Sequence, residues 1–358
     1  MAIAAHHLFF PAAMLQAVAA VGVWIFAPPG FATPFWHAHE LVFGYTLAVA
    51  AGFLFTKATA KTILTALALW TAARLAWFLP PDPFALPQAV LTMAATGTIA
   101  IIGARGFLRG IKRGQNYVFP VPLAVLLLCE ATSQVPAVGG SPRIGAAAVM
   151  VAVFAVVGLI LAMGGRILGA ALSGLAQRSG GERLPPRPGL ELVILAALLA
   201  TALSLLAGAP AALLACCAWI GCAAILARLA DWRAGLRLAS LDLLALVLAQ
   251  AFIAAGLAGL GARVLDPPWP ESAPLHLITI GGIGLTTVTM MVKTAVQRDR
   301  RPMPAGVIGS AAALMSFAGL ARAGVFLFPG LAYPLAALAW IGAMAIAFAW
   351  SVAARGTR

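Results

Sequence analysis

The sequence predicts an all-α, polytopic membrane protein with about twelve transmembrane helices and both termini in the cytoplasm. Of its 358 residues, 63% are hydrophobic and 9% are charged, whereas soluble domains are about 45–50% apolar and about 25% charged. The mean hydropathy is +1.01. Because so few charged residues cannot cover a soluble domain of this size, we expect the lipid bilayer to be the solvent, and one integral membrane domain over residues 1–358.

Continuous apolar segments of about 20 residues, the length that a bilayer core requires, divide the chain. The twelve predicted spans are 8–27, 36–56, 61–79, 87–104, 118–136, 144–164, 190–208, 210–228, 239–262, 275–294, 305–327 and 332–353. The first segment lacks a preceding basic stretch, so it is expected to be an uncleaved span. The boundary between 190–208 and 210–228 depends on Gly208 and Pro210, and the polar stretch 165–189 is expected to be a loop.

The basic residues predict the orientation of these spans. All but four of the 23 Lys and Arg residues fall on one side of a twelve-span chain; Arg143 and Arg263 fall on the other, and Arg74 and Arg322 lie within spans. The positive-inside rule makes the basic side cytoplasmic. The net charge of +13 therefore predicts topology, and because the basic residues are scattered without interleaved aromatics, we expect no nucleic-acid partner.

The chain has only five histidines, which are the first candidates for metal or haem ligation because imidazole binds copper and haem iron. On the predicted topology, His37, His39 and His276 lie near the outer surface, while His6 and His7 lie at the inner end of the first span. A span is about 30 Å long, so the two groups are not expected to share one metal.

The segment Trp36–Glu40, with the sequence WHAHE, is the densest polar cluster at a membrane edge. His37 and Glu40 share a helical face that continues through small residues such as Gly44 and Gly52. That stripe could admit a flat macrocycle or a neighbouring helix. The alternative for these histidines, and equally for His276, His6 and His7, is an interfacial polar residue at a helix start. His39 and His276 are each followed five residues later by glycine.

Other polar side chains within spans are costly and therefore candidates for function. Arg74 and Arg322 are expected to snorkel, to pair with a carboxylate, or to bind a haem propionate or an anion. The cysteines and Met290-Met291 are soft ligands for copper, but such residues more often serve packing. The remaining intramembrane polar groups are Asp242, Glu130, Gln134 and Gln250.

Four patches in order along the chain carry a family resemblance. They are WHAHELVFGYTLAVAAGFLFT (Trp36–Thr56), HHLFFPAA (His6–Ala13), GGRILG (Gly164–Gly169) and HLITIGGIGLTTVTMMVKTAVQRDRRP (His276–Pro302). Through them the chain resembles the NnrS family of bacterial inner-membrane proteins. The HAHE motif with its Gly-Phe continuation is the most specific of the four.

The resemblance implies a multi-pass inner-membrane protein that carries haem b and copper and is linked to the nitric oxide response. Carried over by position, the expected cofactor-binding residues are His37, His39, His276 and His6, and the expected metal ligands are His37, His39, His276 and Glu40. The chain departs from the family pattern in two places. The stretch 297–302 and the span 239–262 lack histidines found in relatives, so a short, divergent member is expected.

The leading hypothesis places a haem near the periplasmic face, ligated by His276 and one histidine of the HAHE motif. Such a protein would bind nitric oxide or another diatomic gas, or act as a redox protein with an electron-transfer partner. The other HAHE histidine, with Glu40, would hold copper or make a supporting hydrogen bond. The alternatives are a transporter or permease for a metal or small solute, and a non-catalytic partner of a respiratory complex.

Overall fold

The computed structural model describes residues 3–28, 31–79, 81–108, 120–183 and 186–353. Within these ranges the chain is helical and contains no strand, which confirms the predicted all-α class. Five of the basic residues that predict the orientation lie outside the described residues: Arg109, Lys112, Arg113, Arg355 and Arg358.

The described residues form fifteen α-helices, numbered here in chain order. They are α1 (Ala5–Phe26), α2 (Pro34–His39), α3 (Leu47–Leu54), α4 (Ala60–Ala76), α5 (Pro81–Leu108), α6 (Pro120–Ser133), α7 (Pro142–Arg178), α8 (Pro188–Leu206), α9 (Ala211–Asp231), α10 (Arg233–Leu236), α11 (Leu241–Gly261), α12 (Ser272–His276), α13 (Leu285–Asp299), α14 (Ala305–Ala323) and α15 (Pro329–Ala353). Two π-helices, Glu40–Thr46 and Leu277–Gly284, join α2 to α3 and α12 to α13.

In the described part of the chain, ten helices are long and apolar enough to cross a membrane. They are Ala5–Phe26, Pro83–Arg105, Pro120–Val138, Pro142–Arg178, Pro188–Leu206, Ala211–Asp231, Leu241–Leu265, Ser272–Asp299, Ala305–Phe326 and Pro329–Ala353. The predicted spans 36–56 and 61–79 are not among them. The first carries the polar HAHE segment, and α4, within the second, has only 17 residues.

The observed helices decide two of the boundaries predicted from the sequence. The separation of 190–208 from 210–228 is confirmed, because α8 ends at Leu206 and α9 begins at Ala211, with Gly208 between them at a positive φ of 58°. The loop predicted at 165–189 is wrong in its first half, since α7 continues to Arg178. Residues 166–178 contain no proline and are rich in Ala and Leu, so the helix continues through them and ends just before Gly180, which has a positive φ of 81°.

The chain divides into two compact units. The first comprises Met1–Ala155, Thr294–Arg300 and Phe348–Arg358, and the second comprises Val156–Lys293 and Arg301–Ala347. Each unit is described by itself. The expectation of one membrane domain over residues 1–358 stays a prediction.

The core of the first unit is aromatic near α1 and polar near the following helices. Phe9, Phe10, Phe43 and Tyr45 are fully buried on α1 and on the π-helix that follows α2. His39, Glu40, Arg74 and Glu130 are buried in the same unit. In a membrane interior such groups must satisfy one another, so this polar interior marks a candidate site.

The second unit is built by close helix approaches at small residues. A Cβ placed on Gly256 would lie 2.7 Å from the carbonyl oxygen of Pro274, and one on Gly282 would lie 2.5 Å from the Ile253 side chain. Glycine thus lets α11 approach α12 and the π-helix that follows it, as small residues do in membrane helix packing.

Candidate functional site

The HAHE segment is divided between an α-helix and a π-helix. The Thr33 side chain accepts a hydrogen bond from the Trp36 backbone N–H at 3.1 Å, and Pro34 occupies the first turn, so α2 begins with a normal cap. His39 is the last residue of α2, and Glu40 opens the π-helix. Because π-helical turns are rare and occur often at functional sites, this junction is a candidate position for a site.

His39 is fully buried between two carboxylates. Its Nε2 lies 3.0 Å from Glu130 Oε1, and its Nδ1 lies 3.3 Å from Glu40 Oε1. An imidazole that donates to both carboxylates carries a proton on each nitrogen and has no lone pair left for a metal. The hydrogen bonds of His39 therefore suit a charge-balancing role better than haem or copper ligation.

Glu40 is fixed by an arginine and a glutamine from two other helices. Arg74 Nη1 donates to Oε1 at 2.5 Å, and Gln16 Nε2 donates to Oε2 at 2.6 Å. The residue one turn on is Gly44, where a Cβ would lie 2.9 Å from the Gln16 amide. Both Glu40 oxygens are thus engaged within the protein, and Arg74 follows the carboxylate-pairing alternative of the sequence analysis.

Glu130 forms the second half of the cluster. Gln134 Nε2 donates to its Oε1 at 2.7 Å, and the Thr96 hydroxyl donates to its Oε2 at 3.3 Å. We call the connected set His39, Glu40, Arg74 and Glu130 the buried ionic cluster. Arg74 balances one of its two carboxylates, and His39 balances the other when both of its ring nitrogens carry a proton, which keeps the buried cluster neutral.

Two side chains at this cluster have buried donor atoms without a hydrogen-bond partner among the described residues. They are Arg74, through Nε and Nη2, and Trp77, through Nε1. The Trp77 ring lies 4.8 Å from the His39 ring. Arg74 lies in the last turn of α4 and Trp77 is its C-cap residue three positions later, so these donors offer one polar patch to an acceptor such as water or an anion.

His37 has an aromatic neighbour on α1. Its ring is half-buried and stacks on Trp24, with 5.0 Å between ring centroids. The small-residue stripe that continues its face is filled by a neighbouring helix, since a Cβ on Gly52 would lie 2.3 Å from the Phe10 ring of α1. Of the two alternatives for that stripe, the neighbouring helix is the one observed.

His276 is placed in the second unit with one ring nitrogen occupied. Its Nδ1 lies 2.6 Å from the Ser272 carbonyl oxygen, one turn earlier on α12. That carbonyl only accepts, so Nδ1 carries the proton and Nε2 carries the lone pair. The ring is half-buried. This is the usual arrangement of a metal-ligating histidine held by a backbone carbonyl.

Arg322 shares Ser272 with this histidine. Its Nη2 donates to the Ser272 hydroxyl at 3.2 Å, and its guanidinium lies 4.5 Å from the centre of the Tyr333 ring. Arg322 is 8% exposed, and its Nη1 is a buried donor without a hydrogen-bond partner in the described ranges. A positive charge with an unsatisfied donor on the same serine as His276 suits an anionic group.

His39 and His276 occupy equivalent local structures. Each ends a short α-helix, each is followed by a π-helix, and each π-helix contains a glycine five residues later, Gly44 or Gly281. The two histidines that share a glycine spacing in the sequence therefore also share a local backbone structure.

His6 and His7 contact Asp299, which was not among the predicted ligands. Both Nε2 atoms face Asp299 Oδ1, at 3.4 Å and 3.0 Å. Among the described residues these three form the one group of histidine, cysteine and acidic side chains close enough to share a metal. Asp299 falls in the stretch 297–302, where the family pattern led us to expect a histidine, and that departure was the available signal.

The soft-ligand alternative for copper gains no support from burial or grouping. Cys129 is buried, and none of the four cysteines joins a metal-sized group in the described part of the chain. Met291 is fully buried, which fits packing.

The family model described as NnrS protein matches residues 2–355, nearly the whole chain. No curated protein matches the sequence.

Proposed function

This chain belongs to the NnrS family, and we propose that it is a haem-binding membrane protein that serves the nitric oxide response by binding the gas or by passing electrons. The observation that carries the proposal is that His276 and Arg322 both contact Ser272. Its carbonyl orients His276, and its hydroxyl holds Arg322.

These residues fit a haem by their own chemistry. His276, with Nδ1–H bound to a carbonyl, would hold the haem iron through Nε2. Arg322, with a buried and unsatisfied Nη1, would hold a propionate. When bound, haem b supplies an iron centre that takes a diatomic gas or one electron. The chain's own part is to fix the tautomer of His276 and to neutralise an anionic edge.

Among the remaining predicted ligands, His39 and Glu40 have contacts that disfavour metal binding. A second haem ligand from the HAHE motif stays a prediction, and His39 is disfavoured for that role because two carboxylates flank its ring. Copper held by Glu40 is disfavoured, because Arg74 and Gln16 already occupy both carboxylate oxygens.

We also propose the finer topology. Twelve spans, with the segment 36–56 and α4 added to the ten apolar helices, leave both termini in the cytoplasm and place the chain in a bacterial inner membrane. The lipid bilayer is then its main partner, a membrane redox protein its electron partner, and nucleic acid is not a partner. The one-sided distribution of Lys and Arg supports this arrangement.

Absorption spectra of the purified protein, oxidised in air and reduced with dithionite, test the haem. We expect a b-type spectrum with one haem per chain, a Soret shift on adding nitric oxide if an axial position is open, and loss of the Soret band in His276→Gly. Free imidazole should restore the band in that variant, which separates ligation from misfolding. A colourless wild-type protein, or a His276→Gly variant with an unchanged spectrum, would overturn the proposal.

Arg322→Gln tests the anionic contact, with Arg263→Gln as its matched control. Arg263 is exposed at a helix end, whereas Arg322 is buried. We expect weaker haem retention during purification for Arg322→Gln only. Equal retention in both variants would remove Arg322 from the site.

A transporter is the second candidate, and the two π-helices favour it. Discontinuous helices with buried charges beside them are typical of substrate sites in transporters, and Glu40–Thr46 adjoins the buried ionic cluster. Counterflow of labelled metal or small solutes in proteoliposomes that contain the colourless protein would support this alternative.

A further inference from the structure

His6, His7 and Asp299 form a compact group within the first unit. His6 and His7 lie in the first turn of α1, and Asp299 is the last residue of α13. The donor atoms of the three side chains all lie within 4.8 Å of one another. We propose that this group binds a divalent first-row transition metal ion, separate from any haem, with two imidazoles and one carboxylate as its ligands.

The spacing of the donor atoms agrees with one ion between them. Asp299 Oδ1 lies 3.4 Å from His6 Nε2 and 3.0 Å from His7 Nε2. A tetrahedral ion with bonds of about 2.0–2.1 Å sets its ligands about 3.3 Å apart. Both distances between the carboxylate and an imidazole lie close to that value.

The same distances also fit hydrogen bonds between each imidazole and the carboxylate. The metal-bound and the hydrogen-bonded states differ in where the imidazole protons lie. Without a metal, each Nε2 must carry a proton to donate to the carboxylate. The two rings lie 4.1 Å apart, so protonating both imidazoles fully would place two positive charges side by side. When a divalent ion takes the place of the Nε2 protons, each neutral imidazole carries its one proton on Nδ1 instead, and the carboxylate binds the ion at the same time.

Neighbouring contacts fix the end of α13, which carries Asp299, and solvent can reach the group through His7. Arg298 donates to the carbonyl oxygens of Gly52 and Phe53, both at 2.8 Å, so it fixes the end of α13. His6 is 6% exposed, whereas the His7 side chain is 27% exposed. One ligand is therefore buried and another reaches solvent, which allows an ion to enter.

The donor set defines the class of ion. Imidazole suits zinc, copper, iron and nickel, and a site of two histidines and one carboxylate leaves coordination positions open, as in non-haem Fe(II) sites. Three protein ligands with an open position are also typical of reactive zinc sites. The group therefore suits an ion that also binds an exogenous ligand.

The test uses the purified full-length protein in detergent, stripped with a chelator and titrated with Zn²⁺ by calorimetry. We expect one site per chain, with an affinity at least tenfold weaker in Asp299→Asn and in His7→Ala. Glu182→Gln, which removes one exposed carboxylate, should bind as the wild type does. Equal binding by wild type and Asp299→Asn, or no binding by wild type, would show an ion pair only.

A second measurement guards against a variant that fails to fold. Cu²⁺ bound to the wild-type protein should give an electron paramagnetic resonance spectrum with hyperfine coupling to two imidazole nitrogens, and Asp299→Glu should retain it. A spectrum with sulfur ligation or with a single nitrogen would overturn the assignment.

Discussion

His39 Nε2 lies 3.0 Å from Glu130 Oε1, and neither side chain is exposed. The two residues are 91 positions apart in the chain. This contact connects the HAHE motif to α6, and through Glu40 to Arg74 on α4, so that charges from three segments neutralise one another. The polar residues of the motif therefore help hold the first unit together.

Breaking the Arg74–Glu40 pair should be costly because it leaves one charge buried without its partner. We expect Arg74→Met and Glu40→Gln each to lower the free energy of unfolding by about 3–5 kcal/mol. The double variant should be less destabilised than the sum of the two, since it leaves no unpaired charge. Reversible unfolding in mixed detergent micelles would measure the cycle.

An exposed ion pair provides the matched control for that cycle. Arg187 Nη2 lies 3.0 Å from Asp231 Oδ1, and the two side chains are 58% and 30% exposed. The equivalent cycle there should give a coupling of about 1 kcal/mol or less. Similar couplings for the two pairs would mean that the buried ionic cluster does not act as a neutralised unit.

The fold was largely predictable from the sequence because membrane helices need only length and apolar composition. The ten apolar helices all correspond to predicted spans. The two other predicted segments differ because local chemistry matters there: His37, His39 and Glu40 make one of them polar, and the π-helix is a backbone feature that periodicity does not specify.

The sites were predictable only as single residues. The HAHE histidines and His276 stood out as rare polar groups, but the partners that define their chemistry, Glu130 and Ser272, come from tertiary and backbone contacts. Asp299 lies 293 positions from His6, and no local pattern connects them. Charged residues within predicted spans, such as Arg74 and Glu130, were the available clue, since each requires a partner.

Gly281 should tolerate no side chain because the Phe252 ring fills the space. A Cβ there would lie 2.4 Å from that ring. We expect Gly281→Ala to lower the free energy of unfolding by about 1–3 kcal/mol through overpacking, and Phe252→Leu to recover part of the loss. Gly306→Ala is the control, because no atom lies within 4 Å of its added Cβ. If Gly281→Ala were as stable as Gly306→Ala, the close packing after His276 would be disproved.

Trp70 supports the first π-helix through a single hydrogen bond. Its Nε1 donates to the Gly44 carbonyl oxygen at 2.9 Å, in a buried position. Trp70→Phe should lower the melting temperature by an amount that corresponds to about 1 kcal/mol, because the carbonyl loses its donor while the ring volume is largely kept. Trp219→Phe removes a similar bond, to Ala258 on an exposed surface, and should cost less. The opposite order would contradict a supporting role for Trp70.

The twelve-span topology makes a prediction that ten spans do not. If the segment 36–56 crosses the membrane, a reporter inserted at 57–59 lies in the cytoplasm, while one inserted at 31–33 lies outside. If neither that segment nor α4 crosses, both reporters lie outside. We expect the first result, because Lys57 and Lys61 favour the cytoplasm. Phosphatase and fluorescent-protein fusions at the two positions would decide between the two, and replacing both lysines with glutamine should weaken the cytoplasmic retention of 57–59.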